Sequence, residues 1–299
     1  MRVHVRVPAT SANLGPGFDA LGLALALYNE VVAEESDRVS VKLEGEGADR
    51  LARDAGNVVA RGVKLAYEAA GRPFRGCALE CVNRIPTSRG LGSSAAAWVG
   101  GLAAGNALLG SPLSRERLLM LAAQAEGHPD NVAAAVFGGL TVSCGSADQV
   151  TAVTLPVPAI LTWVVLVPEV TSATAEARAL LPRSVPREDA VFNVQRVALL
   201  LAGLQAALPA ALTIALDDRL HQPYRLKLFP WMPAVVAAAR GAGALGCVLS
   251  GAGPSLLAVV EGNGGAVGRA MEDALGRAGV RGRALALDVD SAGAISTLS

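Results

Sequence analysis

The stretch Ile85–Gly101, IPTSRGLGSSAAAWVGG, sets two glycines around a leucine, adds two serines, and runs on as alanine and other apolar residues. Glycines let a backbone approach an anion, and the first N–H groups of a following helix point at it. Hydroxyls at Ser93 and Ser94 could serve a phosphate oxygen or Mg²⁺. The familiar phosphate loop puts a lysine beside its serine, and here the only lysines are Lys42, Lys64 and Lys227. Two other readings compete. Gly90-Leu-Gly92-Ser-Ser-Ala95 fits a dinucleotide fingerprint, but that needs a second strand ending in an acid ~20 residues on. The next segment, SRERLLMLAAQAEG, is a second helix, so that reading is rejected. The other is an ordinary turn in which Ser93 caps a helix. Two further glycine-rich loops favour the triphosphate site: PATSANLGPGFDALGLAL (Pro8–Leu25) and GCVLSGAGPSLLAVV (Gly246–Val260).

The elements that must carry these loops are legible in outline. Alternation predicts strands at Arg2–Val7, Leu23–Glu34, Val39–Leu43, Gly76–Asn83 and Gly139–Cys144. Helices are predicted after an Asn57 cap as far as Gly71, over Ser93–Leu109, and over Ser114–Glu126 with Ser114 as cap. Pro156-Val-Pro158 is the predicted lobe boundary, giving residues 1–155 and 156–299. Beyond it come a strand at Ala159–Val167 and helices near Ser172–Leu181, Arg187–Leu208, Ala210–Leu220 and Met232–Ala242. Strands Ala244–Leu249 and Ser255–Val260, a helix Ala266–Ala278 and a strand Arg283–Leu287 follow. Strict βαβ alternation is missing, which favours an α+β class.

Composition narrows the function. The 299 residues hold 26 acidic and 26 basic side chains, so nothing attracts nucleic acid or an anionic membrane. Ser94–Leu109 is uncharged and contains Gly101-x-x-x-Gly105, yet it falls short of the ~20 strongly apolar residues of a span. It reads as a buried helix. Cys77, Cys81, Cys144 and Cys247 are too few and scattered for a disulfide scaffold. Cys77 and Cys81 share one face of a strand but lack partners at zinc spacing, so they read as buried thiols of a cytoplasmic protein.

All three loops resemble the conserved motifs of the small-molecule kinases named for galactokinase, homoserine kinase, mevalonate kinase and phosphomevalonate kinase (GHMP). Pro86-x-x-x-Gly90-Leu-Gly92-Ser93-Ser94-Ala95-Ala96 matches that family's nucleotide loop. Ser11–Asp19, Glu126–Val132, Thr174-Ala-Glu-Ala-Arg178 and His221-Gln-Pro-Tyr-Arg225 resemble the homoserine kinase branch. The resemblance covers nearly the whole chain. It implies a two-lobed α+β GHMP kinase fold, with a ribosomal-protein-S5-like N-terminal lobe and a ferredoxin-like C-terminal lobe. It also implies ATP and Mg²⁺, L-homoserine as the acceptor in threonine biosynthesis, and a homodimer.

Site residues follow from the same resemblance. Asp19 takes the ammonium of the amino acid, while Arg178 and Arg225 take its carboxylate, which suits a guanidinium fork. Asn13 and Asn131 flank the hydroxyl and the transferred phosphoryl, and Asp130 adds an acid to the pocket. Ser94 and Glu126 hold Mg²⁺ through hard oxygens. Asn57, Pro86, Arg89, Gly90, Leu91, Gly92, Ser93, Ser94, Ala95 and Thr174 line the ATP site, with Arg89 either assisting there or facing solvent. His128 sits in a turn-like stretch and ranks behind these residues as a base; His4 and His221 rank lower still. Several relatives activate the hydroxyl with an aspartate and a lysine, a pair absent from these motifs, so catalysis would rest on alignment. Ala134, where many relatives have proline, is expected to loosen its loop. Alternatives are a kinase of the same superfamily for a mevalonate-type alcohol, or a non-catalytic ligand sensor.

Overall fold

In the computed structural model, which describes residues 1–146 and 149–298, Val3, Val5 and Val7 share one buried face of β1 (Arg2–Ala12). That is the period-two rule of a strand with one face on a core. The strand runs past the predicted Val7 through Pro8, where its pairing with β2 (Leu21–Glu35) shifts register. β3 (Ser40–Gly45), α1 (Val58–Ala69), β4 (Cys77–Asn83), α2 (Ser93–Leu108), α3 (Arg115–Glu126), α4 (Asp130–Phe137), β5 (Leu140–Ser146) and β6 (Gln149–Leu155) follow. The second half comprises β7 (Leu161–Pro168), α5 (Thr174–Ala179), α6 (Arg187–Gln205), α7 (Pro209–Ala215), α8 (Gln222–Arg225) and α9 (Met232–Gly241). It ends with β8 (Gly246–Leu249), β9 (Leu256–Glu261), α10 (Gly265–Arg277), β10 (Gly282–Leu287) and β11 (Ile295–Leu298).

The first sheet has the order β11-β1-β2-β4-β3, with β5 on the early part of β2 and β6 on β5; only β3 and β4 are parallel. The second is antiparallel in the order β10-β7-β9-β8, the ferredoxin-like arrangement. Mixed elements on two sheets make this the expected α+β, two-lobed fold. Val164, Leu166, Val235 and Met271 belong to the core of the second sheet. The last strand leaves that sheet and pairs with β1, so the two ends of the chain meet in one sheet.

Thirteen of the 16 residues of α2 are buried, so a helix apolar all round is a core helix here. Among the described residues no helix is long and apolar enough to cross a membrane. The small residues have a packing reason. A Cβ on Gly101 would stand 2.2 Å from the carbonyl oxygen of Val59, so α1 and α2 touch backbone to backbone.

Several elements depart from expectation. Gly127–Pro129 is the expected turn-like stretch, but α4 begins directly after it, and Ala134 is fully buried inside that helix, so that position is a helix interior rather than a loosened loop. Alanine keeps the backbone N–H that proline lacks. The helix predicted over Ala210–Leu220 stops at Ala215. Asp218 then accepts backbone N–H bonds from Leu220, His221 and Gln222, a local turn that competes with helix. β6 and β11 were not predicted; both are short and largely exposed.

Gly101→Ala should destabilise the fold by about 1–3 kcal/mol, the usual cost of overpacking. A lower urea midpoint with an unchanged slope would register it; an unchanged midpoint would show that α1 and α2 part freely.

Candidate active site

β1 delivers Thr10 and Ser11 to the start of α2. Gly90 and Gly92 have φ of 73° and 68°, and a Cβ on Gly92 would stand 1.9 Å from Thr10 Oγ1. Both conformation and space therefore require glycine at 92. Thr10 N–H donates to Leu91 O (3.1 Å), and Ser250 Oγ–H donates to Gly90 O (2.6 Å). Ser250 also shares a 2.8 Å hydrogen bond with Ser11. The glycine loop is thus clamped between the end of β1 and the β8–β9 loop.

The Ser93 cap of the ordinary-turn reading is not formed. The cap position is Gly92, Ser93 is already helical, and no side chain bonds to the first amides of α2. An uncapped helix end at a cavity is an anion site. Ser94 Oγ–H donates to Glu126 Oε2 at 2.7 Å. These two hard oxygens beside the open helix end fit Mg²⁺, which draws its remaining ligands from phosphate and water. Burial pushes the Glu126 carboxyl above its ordinary 4.5, against the Ser94 hydrogen bond and the charge of His128.

Across the same cavity stand Asn13, Asp19, Glu126, His128, Asp130, Asn131, Thr174, Arg178 and Arg225. Asn13, with φ 72°, donates through Nδ2 to Gly251 O (2.9 Å) and accepts from Asp19 N–H (3.0 Å), so it ties two loops together. Asn131 Oδ1 accepts from Thr10 Oγ1–H at 2.8 Å. Asp130 is 2% exposed; its Oδ1 accepts from Asn131 N–H (2.7 Å) and lies 2.8 Å from His128 Nδ1. Burial opposes the charge on His128, but the hydrogen bond and charge of Asp130, with help from Glu126, hold its pKa above 6.5.

Asp19 and Arg178, expected to take opposite ends of a zwitterion, hold each other. Arg178 Nη2 and Nη1 donate to Asp19 Oδ1 and Oδ2 at 2.6 and 3.0 Å. The Asp19 hydrogen bond, ahead of opposing desolvation, raises the Arg178 pKa further. Both side chains are more than a third exposed, so the pair is worth under about 1 kcal/mol and can be exchanged. Arg225 is 1% exposed, and burial pulls its pKa down to about 10, still charged at neutral pH.

The nucleotide-side residues divide. Ser93 and Ser94 line the polar cavity and also a neighbouring, more apolar one with Leu43, Leu51, Asn57 and Val59. Pro86, Leu91 and Gly92 line the polar cavity, while the side chains of Leu91 and Ala95 are buried. Asn57 caps α1 through Val59 N–H at 2.9 Å. Arg89 does not face solvent. Its guanidinium donates to the carbonyls of Pro168 (2.8 Å), Glu169 (3.2 Å) and Thr87 (3.4 Å), which joins the loop to β7.

Four residues at the cavity gain weight from the structure. Thr10 orients Asn131, His128 faces the cavity, and His221 touches Arg225. Ser172, 9% exposed, lines the cavity with an Oγ that has no partner. Two of them left a signal in the sequence: His128 lies inside the Glu126–Val132 motif, and His221 lies four residues before Arg225, one helical turn away. The cysteines stay apart from this chemistry. Burial pushes the Cys77 thiol up to about 11 and the Cys81 and Cys247 thiols up to about 12.

Known proteins match this chain along its length. Residues 57–139 fit the model of the GHMP kinase N-terminal domain and residues 197–277 that of the C-terminal domain. Homoserine kinase of Moorella thermoacetica is 47% identical over 93% of this chain and 94% of its own length. That of Carboxydothermus hydrogenoformans is 45% identical over 99% and 97%. The crystal structure of homoserine kinase from Cytophaga hutchinsonii superposes with a TM-score of 0.91 at 33% identity, covering 99% and 97%. Mevalonate diphosphate decarboxylase from Staphylococcus aureus, at 18% identity and a TM-score of 0.71 over 99% and 98%, shares the fold.

Proton NMR of the three histidines should find His128 titrating above 6.5. Asp130→Asn should lower that value, since desolvation then acts with weaker opposition. Because the folded pKa is the raised one, the charged ring stabilises the fold below the unfolded 6.5, and the gain is lost as pH rises through the folded value. An unchanged titration in Asp130→Asn would remove Asp130 as the cause.

Proposed function

The chain belongs to the homoserine kinases of the GHMP kinase family, and on that footing we propose that it phosphorylates the hydroxyl of L-homoserine with ATP. The products are ADP and O-phospho-L-homoserine, for threonine biosynthesis. The observation that carries this reading is the charge pattern of one cavity: an uncapped helix end on one side, and Asp19, Arg178 and Arg225 on the other. The first suits a triphosphate and the second a zwitterion.

In the proposed cycle, homoserine exchanges into the Asp19–Arg178 pair. Its ammonium turns to Asp19 and its carboxylate to Arg178 and Arg225, so each charge keeps a partner. Asn131, whose Oδ1 is held by Thr10, keeps Nδ2 for the hydroxyl or a phosphoryl oxygen. Asn13 holds the loop that carries Asp19. Ser93, Ser94, Thr174 and the glycine loop bind the phosphates, and the apolar cavity beside Asn57 suits the adenosine. Mg²⁺ held by Ser94 and Glu126 would neutralise phosphate charge.

The hydroxyl oxygen attacks the terminal phosphorus, the bond to the bridging oxygen breaks, and the proton passes to a phosphoryl oxygen or to water. Asp130 favours the charged form of the His128 ring, which disfavours it as the base, so the proposal gives His128 a charge role rather than proton abstraction. Positioning can supply about 7–11 kcal/mol of a barrier, so a loose transition state does not require a strong base. A cytoplasmic homodimer completes the proposal; exposed Val191 and Val194 on α6 offer apolar surface that supports it.

A coupled ADP-release assay should favour homoserine over serine, threonine and mevalonate by at least about tenfold in kcat/KM, the least that several lost polar contacts would cost. Faster turnover of mevalonate would overturn the assignment. ATP binding without ADP release from any alcohol would point to a sensor. Arg225→Ala should raise the homoserine KM by about tenfold or more and leave the ATP KM nearly unchanged. Equal effects on both would refute the carboxylate role.

Glu126→Gln should lower kcat and weaken the Mg²⁺ response while the fold persists. In the wild type, the Mg²⁺ requirement should grow as pH falls through the raised Glu126 pKa, because only the carboxylate binds the ion. A Mg²⁺ response that is the same in both proteins would exclude Glu126 from the metal site.

A further inference from the structure

Arg225 is held from one side only. Its Nη1 lies 3.0 Å from both Gly251 O and His221 Nδ1, and its Nε has no partner although buried. A buried guanidinium left partly unsatisfied at a cavity wall calls for a further partner, and a ligand carboxylate would supply one. The direction of that aim depends on what fixes Nη1.

We infer that His221 is the positioning residue for the carboxylate end of the site, presenting an unprotonated Nδ1 that holds the Arg225 fork toward the substrate. The inference rests on the reading of Arg225 as a carboxylate partner. His221 has no exposed surface. Its Nε2 lies 2.8 Å from Gly15 O, and a carbonyl can only accept, so the proton sits on Nε2. That leaves the Nδ1 lone pair for Arg225. A protonated Nδ1 would set donor against donor and release the fork.

The two hydrogen-bond partners of the ring, Gly15 O and Arg225 Nη1, together fit one neutral tautomer. Phe18 stacks on it with centroids 5.1 Å apart, and the same Phe18 ring lies 5.6 Å from the guanidinium carbons of both Arg178 and Arg225. Of the charged groups around it, Arg225 and burial disfavour the imidazolium, while Asp218 at 3.6 Å and the more distant Asp19 favour it. Burial dominates and holds the ring below its ordinary 6.5. Gly15 belongs to the first glycine-rich loop and Gly251 to the third. The contact therefore sets the Arg225 fork against the loop that carries Asp19. A core histidine kept only for packing would have no need to present its acceptor to a charged donor at the cavity.

The test uses the full chain labelled with nitrogen-15 in its three histidines. His221 should show a protonated Nε2 and a bare Nδ1 at neutral pH, and Arg225→Ala should shift the Nδ1 resonance. An imidazolium or an Nδ1–H tautomer would overturn the inference, and this arm needs no variant at 221.

The kinetic arm compares L-homoserine with its carboxamide, which lacks the negative charge. His221→Phe keeps an aromatic ring but no acceptor. It should raise the homoserine KM about tenfold, the loss expected for one hydrogen bond to a charged group, with the ATP KM within about twofold and the acid-over-amide preference reduced. His221→Asn, which returns an acceptor oxygen near the place of Nδ1, should recover part of that preference. If Arg225→Ala abolishes the preference and His221→Phe leaves it intact, the role given to His221 is wrong. If Arg225→Ala itself leaves it intact, the carboxylate reading of Arg225 fails instead.

Discussion

The N-terminal end of α2 emerges from Gly92 with no side chain to cap it, and the rest of the site follows from that open end. Unpaired N–H groups at a helix end need partners, and here the neighbouring side chains are committed elsewhere. The Ser250 hydroxyl donates to Gly90 O, the Thr10 hydroxyl to Asn131 while its backbone N–H donates to Leu91 O, and Arg89 holds the carbonyls at the end of β7. The loop is rigid before an anion arrives, so binding carries little ordering cost. The backbone and the helix end supply a positive potential without a lysine, and Ser94 and Glu126 set two oxygens 2.7 Å apart beside it.

Charge in the cavity is arranged as pairs. Asp19 faces Arg178, Asp130 faces His128, and Ser94 donates to Glu126. The pairs differ in how firmly they are held. Asp130 is nearly inaccessible, so its bond to His128 is a fixed part of the wall. The Asp19–Arg178 pair is partly exposed and weak enough to be exchanged for a ligand with the same two charges. An exchange of that kind would leave Asp19 and Arg178 with partners of opposite charge with and without a zwitterion.

The two lobes are joined through this cavity. Asp19, Ser94, Glu126 and Asn131 come from the first half of the chain, and Arg178, Arg225 and the Ser250 loop from the second. The hydrogen bonds of Asn13 and Arg225 converge on one carbonyl, that of Gly251. Movement of one lobe against the other would therefore disturb Arg225 and the Asn13 loop together.

Much of this was legible in residue order. Glycine at 90 and 92, the caps at Asn57 and Ser114, the alternation of β1 and the apolar run of α2 are local signals, and local sterics and hydrogen bonding enforce them. The three loops and the motif residues also declared the family, since the chemistry needs those types at those spacings. What lies between distant segments was not legible. The helix at Asp130–Phe137 starts directly behind a Gly-His-Pro turn that masked it, and the return of β11 to β1 spans nearly the whole chain. The mutual grip of Asp19 and Arg178, 159 residues apart, and the bond from His221 to Gly15, 206 apart, exist only once the lobes close. The residue types, and so the kind of chemistry, came from the sequence alone. Which charges neutralise one another, and which side chains are buried firmly enough to aim them, was decided by tertiary packing, because burial and distance are properties of the folded chain and not of its order.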